Sequence, residues 1–255
     1  MTTGNPAVIL DIAAGRVEEG FAVDKFGRNT TVGTSFEEIW DISTAKNFLN
    51  TASTMRIRAG DAADTEGGTG ASEVTIFGVD SNFDLIDETI TLLGTTQSAA
   101  TTQEFLHVHR MKITKMSTTA TARTNVGTVT LEETTGSTPQ AQIAADLGQT
   151  TMTHYIVPRN NTMFITRIYA NVGKGDDADI TFETHPDGQA WQVKRYIRIF
   201  QGHIALNFDG EIIIPEKTRI VIRAKASTGT VSVAAGWDAI CINNGWLQPD
   251  FVASL

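Results

Sequence analysis

Almost every apolar stretch in this 255-residue chain is short, rich in Val, Ile, Thr and Phe, and bounded by Gly, Asn, Asp or Ser. Such runs read as β-strands joined by turns, because β-branched and aromatic side chains suit a pleated surface and the flanking residues tolerate tight turns. The spacing predicts strands over residues 54–58, 73–79, 88–93, 105–115 and 125–132, then over 155–157, 163–172, 179–183, 191–200, 203–207, 211–214, 219–224 and 230–237. In Glu88-Thr89-Ile90-Thr91-Leu92 the alternation sets Ile90 and Leu92 on one face and the threonines on the other, as in a half-buried strand. Helical turns are expected only at 36–40 and 140–147.

Strand starts roughly 8 to 12 residues apart suit a sandwich better than alternating β-α units. The expected fold is therefore all-β: two antiparallel β-sandwich or jelly-roll-like domains with little helix. Residues 1–50 are expected to form an N-terminal arm and strap, and residues 51–140 the first sandwich. Residues 141–153, in a stretch of Thr, Gly, Ser, Gln and Ala, read as a linker, and 154–255 as a second, jelly-roll-like domain with a C-terminal tail. The Gly- and Thr-rich segments 61–71 and 95–102 read as surface loops.

Hydrophobic residues make up 41% of the chain and charged residues 19%, enough apolar material for a packed core. With 20 basic against 29 acidic residues the net charge is −9, which argues against wrapping nucleic acid. No apolar run approaches the roughly 18 residues of a membrane span, and the first 15 residues lack the basic and apolar regions of a secretory signal. The single cysteine, Cys241, sits in Ala239-Ile240-Cys241-Ile242; it forms no intrachain disulfide and reads as a small buried hydrophobe.

The chemical motifs are sparse. The chain contains no Gly-x-Ser-x-Gly elbow, no phosphate loop ending in Gly-Lys-Ser/Thr and no His-Glu-x-x-His pair. Nothing singles out two of the 29 acidic residues as a sugar-cleaving pair, and only four tryptophans are present to build a sugar platform. No enzymatic activity, catalytic residue, cofactor or metal site is therefore expected. His107 and His109 alternate on one strand, a geometry that suits a metal given a third ligand, but Phe105, Met111 and Ile113 share that face. The pair reads instead as packed or interface histidines. Asp176, Asp177 and Asp179, and likewise Asp80, Asn82 and Asp84, read as solvated acidic turns; neither set follows the twelve-residue calcium loop.

Gln192, Lys194, Tyr196 and Arg198 are expected on one face of a strand whose other face carries Trp191, Val193, Ile197 and Ile199 as core. Arg and Tyr are enriched in protein interfaces, so the polar face is a candidate contact surface. Trp246, between Gly245 and Leu247-Gln248-Pro249, is the candidate for a docking tail.

Several segments in order resemble a group of bacteriophage virion structural proteins common in marine and related phages. They are Phe26-Gly27-Arg28-Asn29, Phe36-Glu37-Glu38-Ile39-Trp40-Asp41, Val74-Thr75-Ile76-Phe77-Gly78-Val79-Asp80, the run from Asp87 to Thr96, and Phe105-Leu106-His107-Val108-His109-Arg110. Gln149-Thr150 through Tyr155-Ile156-Val157-Pro158 resembles the family's linker and the start of its second β domain. Where similar chains carry Gly and Lys after Val-Pro, this one has Arg159-Asn160-Asn161-Thr162. The resemblance spans residues 24–224 and rests on strand and turn patterns, so it implies a virion setting and carries no site residue.

Within that setting the leading expectation is a capsid decoration or cementing protein, a symmetric homo-oligomer such as a trimer bound over seams between capsid subunits. It would be assembled in the host cytoplasm and bind other virion proteins, with no nucleic-acid or membrane partner. Its mechanism would be area burial: at ~25 cal/mol per Å2, even ~800 Å2 per partner is a large gross gain that many copies multiply. The alternative is a tail, baseplate or fibre-associated protein that recognises host-surface glycans. A carbohydrate-binding module is the expectation from a different class.

Overall fold

The computed structural model describes residues 6–42 and 44–252. In chain order the elements are helix α1 (Pro6–Ala13), β1 (Gly20–Val32), β2 (Glu37–Glu38), β3 (Met55–Ala59), β4 (Ala71–Val79), β5 (Leu85–Thr91), β6 (His107–Met116), β7 (Val129–Glu133) and β8 (Pro139–Ile143). There follow β9 (Tyr155–Ile156), β10 (Asn161–His185), β11 (Gln192–Ile214), β12 (Arg219–Ala226), β13 (Val231–Asn243), a 3-10 turn (Asn244–Trp246) and helix α2 (Pro249–Val252). The chain is all-β and antiparallel, as the short alternating runs require.

It forms two compact units, and one is inserted into the other: residues 1–39 and 153–255 make a discontinuous unit, and Trp40–Met152 a continuous one. This corrects the expected division. The stretch read as an arm contains β1, paired with β13 from Gly20↔Ile242 to Val32↔Val231. The stretch read as a linker contains the end of β8, paired with β7 from Val129↔Ile143. The first five residues of the expected arm, Ser43 and the last three residues of the expected tail lie outside the described residues.

The discontinuous unit is a seven-stranded sheet built around β10. Along one edge β10 pairs with β11; along the other, its first half pairs with β13 and its second half with β12. Where it changes partner, Val172↔Gly202 is followed by Asp177↔Phe200, so residues 173–176 stand opposite Gln201 alone. A bulge of this kind bends a strand, which lets both halves of the sheet face one core. Met163, Ile165 and Ile168 reach that core from one half of β10, and Ala178, Ile180 and Phe182 from the other. Each fully buried Ile or Phe contributes about 2 kcal/mol of gross transfer free energy.

β1 shows why close packing needs glycine at particular positions. A Cβ on Gly27 would lie 2.2 Å from the Ile39 carbonyl oxygen, and one on Gly236 would lie 2.4 Å from the Lys25 carbonyl oxygen. Neither backbone can withdraw without breaking its pairing, so only hydrogen fits.

The continuous unit holds two three-stranded sheets, β3-β7-β8 and β5-β4-β6, over a core that includes Met55, Ile57, Ile76, Phe105, Met111 and Leu131. β5 shows the expected alternation, with Ile90 half-buried, Leu92 buried and Thr89 and Thr91 exposed. The 61–71 loop is held from within. Asp64 is fully buried, and its carboxylate accepts the backbone N–H groups of Ala71 (2.9 Å), Val126 (2.9 Å) and Gly127 (2.8 Å). The two expected helical turns are strands: Glu37–Glu38 pairs with β12, and Pro139–Ile143 is β8. Cross-strand hydrogen bonds and burial of Ala141 and Ile143 outweigh the weak local propensity of Pro-Gln-Ala-Gln-Ile.

Candidate interaction surface

Alternation along the second half of β10 sends Ala178, Ile180 and Phe182 inward and Asp179, Thr181 and Glu183 to the opposite face. That face is covered by neighbouring side chains. Asp179 is held by Arg198 from β11 (3.5 Å) and Lys225 from β12 (3.4 Å); Glu183 is held by Arg223 (3.5 Å) and accepts from the Thr181 hydroxyl (2.7 Å). Both carboxylates are buried. Phe36 lies across the cluster, with its ring centroid 5.0 Å from Lys225 Nζ and 5.6 Å from the Arg223 guanidinium, and its carbonyl accepts from Arg223 (2.8 Å). The Tyr196 ring meets the Phe36 ring edge-on at 6.4 Å. A hydrogen bond to Asp179, then burial and the carboxylate charge, raises the Tyr196 phenol above the ordinary tyrosine value, so it stays neutral.

These contacts hold Tyr196 and Arg198 in place on the sheet. Asp179 therefore does not belong to a solvated acidic turn; it sits on a strand between two cations. Asp80 is also engaged, since its carboxylate accepts the backbone N–H of Asn82 (2.8 Å) and of Asp84 (2.9 Å).

The expected four-residue face is divided by a bulge. Phe182 pairs with Arg195 and Glu183 with Val193, so Lys194 has no counterpart on β10. Beyond the skipped residue the alternation is reversed: Gln192 pairs with Thr184, on the same side of the sheet as Phe182, and Val193 joins the outward row. Lys194 Nζ donates to Gln192 Oε1 (2.9 Å). Trp191 and Val193, expected in the core, are exposed, while Ile197 is half-buried and Ile199 buried.

The outward row is Val193, Tyr196, Arg198 and Phe200, with Val193 57%, Tyr196 58% and Phe200 69% exposed. Phe200 was not among the expected contact residues, although the alternation running through 196 and 198 reaches it. The Arg198 guanidinium lies 5.2 Å from the Phe200 ring centroid.

His107 and His109 are buried inside the continuous unit, 2% and 8% exposed, which removes them from the candidate surface. Their ring centroids are 6.4 Å apart and Phe48 stacks on His107 at 5.5 Å, so they pack as aromatic bodies. Among the described residues no group of three His, Cys, Asp or Glu side chains is placed to hold a metal ion. Trp246 is 62% exposed on its 3-10 turn, which Asn243 caps by accepting from the Gly245 N–H (2.9 Å). Trp237 is wholly buried.

No protein-family model matches the chain, and no curated protein matches it. Among solved structures, a mitogen from Yersinia pseudotuberculosis is 10% identical, with 38% of this chain and 88% of that chain covered and a TM-score of 0.22. The structure of infectious bursal disease virus Gt strain is 10% identical over 90% of this chain and 74% of that one, with a TM-score of 0.22. The infectious bursal disease virus VP2 subviral particle is 12% identical over 90% and 73%, again with a TM-score of 0.22. At that TM-score the likeness assigns neither fold nor function.

Proposed function

We propose that this chain is a structural subunit of a phage particle that decorates the capsid and stabilises it by protein-protein contact, without catalysing a reaction. The observation that carries this reading is the outward row of β11. Val193, Tyr196 and Phe200 expose apolar surface beside a guanidinium that Asp179 and Ser227 hold in place. Exposed aromatic and Arg side chains on a rigid sheet are what a contact surface needs, because little side-chain freedom remains to be lost. The resemblance of the segments between residues 24 and 224 to phage virion proteins supplies the setting. Trp246 offers a second, separate contact.

Mass spectrometry of purified particles, with cryo-electron microscopy to locate the chain, tests this. Hundreds of copies spread over the head shell are expected. A few copies at one vertex would replace decoration with a tail role, and absence from the particle would reject the virion role altogether.

A further inference from the structure

The row on β11 lies at the margin of its sheet. Among the described residues β11 pairs with β10 alone, so along 192–200 its second edge presents backbone donors and acceptors that no strand takes up. Proteins ordinarily blunt such an edge with a short strand, a proline, a bulge or charges; this one is long and free of proline, its bulge is confined to Lys194, and from Arg195 to Phe200 it runs in regular register beside β10 with Tyr196 and Phe200 exposed. Its charge is also unlike the rest of the chain. Between Asp187 and Asp209 there is no acidic residue, while Lys194, Arg195 and Arg198 all fall there, in a chain whose net charge is −9.

We infer that this edge pairs antiparallel with the same edge of a second copy, about a two-fold axis at Ile197. Directly opposed residues in an antiparallel pair share a face, so the axis must fall on a residue. An axis at Arg198 would oppose two guanidinium groups, and an axis at Tyr196 would set Arg198 opposite Lys194. At Ile197, Tyr196 meets Arg198 of the second copy and Arg198 meets its Tyr196, so each cation faces an aromatic ring. The row is thereby complementary to itself, which is what a two-fold interface requires and what a contact with an unrelated protein would not. The inference rests on the assembly role proposed above and names the partner of that surface.

Sedimentation velocity of the full chain, together with disulfide trapping, tests the pairing. The wild-type chain is expected to sediment at the mass of two chains. Tyr196→Lys/Phe200→Lys, which sets like charges opposite Arg198 and Lys194 of the second copy, is expected to weaken association by about tenfold or more while the circular dichroism of the fold is retained. An oxidised mixture of Tyr196→Cys and Arg198→Cys chains is expected to form a covalent heterodimer, with little product from either variant alone; Cys241 is buried and does not compete. A wild-type monomer, a trimer, an unweakened Lys variant, or trapping no stronger in the mixture than in the single variants would each overturn the pairing. A monomer still present in many copies on the particle would sink the pairing and leave the decoration role standing. A two-fold dimer absent from particles would do the reverse.

Discussion

The rings of Phe182 and Trp237 meet edge-on at 6.3 Å and 89° across the core of the discontinuous unit. Phe182 lies on the half of β10 that pairs with β12, and Trp237 on β13, which pairs with the other half, so this one contact ties the two halves of the sheet together. Tyr155 meets the same indole edge-on at 5.8 Å, and the indole N–H donates to the Thr153 carbonyl (3.0 Å).

Trp237→Ala should therefore cost about 3–5 kcal/mol, from lost transfer free energy and from a cavity that a twisted sheet cannot close. Phe182→Ala should cost a similar amount, and the double variant less than the sum, because both remove the same ring contact. Urea unfolding of the four proteins measures all of this.

Asp64→Ala should destabilise the continuous unit by about 3 kcal/mol, since three backbone N–H groups, that of Ala71 buried and those of Val126 and Gly127 half-buried, lose their acceptor. Asp64→Asn keeps one acceptor oxygen and should fall between. Hydrogen exchange should show the loss first at Ala71, Val126 and Gly127.

Asp238 should give stability a pH dependence of unusual sign for a carboxylate. Burial raises its pKa above the ordinary 3.8, Arg167 opposes that and Asp24 adds to it. The folded state then binds the proton more tightly than the unfolded chain does. The contribution is fully present below 3.8 and is lost as pH rises through the higher folded value. Asp238→Asn should remove this component, seen as a flatter profile of unfolding midpoint between acid and neutral pH.

Cys241 should resist thiol reagents in the folded protein. Burial pushes its pKa up to about 12, and the thiolate is the reactive form. Labelling with a chromogenic disulfide at pH 8 should report no free thiol in native buffer and one per chain in denaturant.

β1 marks the boundary of what could be read in advance. Phe21 near its start and Val32 at its end are apolar and meet the core, but the inward positions between them are Val23, Lys25, Gly27 and Asn29, and three polar or small residues in succession break the period-two signal. Ala239, Trp237, Ala235 and Val233 of β13 bring each of them to the core side, and the strand exists because that edge needs a partner. β4 and β6 were legible because their buried positions include Val74, Ile76, Val108 and Met111. The outward row of β11 was half legible: Tyr196 and Arg198 follow simple alternation, whereas Val193 reaches the surface only because Lys194 is skipped in the ladder.

Local side-chain chemistry, acting over a few residues at a time, was enough to determine an all-β chain, most of its strands and a buried Cys241. Which strands lie beside one another was decided only in three dimensions. That choice inserted Trp40–Met152 between the two segments of the other unit, drew β1 out of an apparent arm, and buried His107 and His109. The physical reason is that a strand's edge hydrogen bonds and its inward face are satisfied by residues far away in the chain, and period-two alternation is silent about which residues those are.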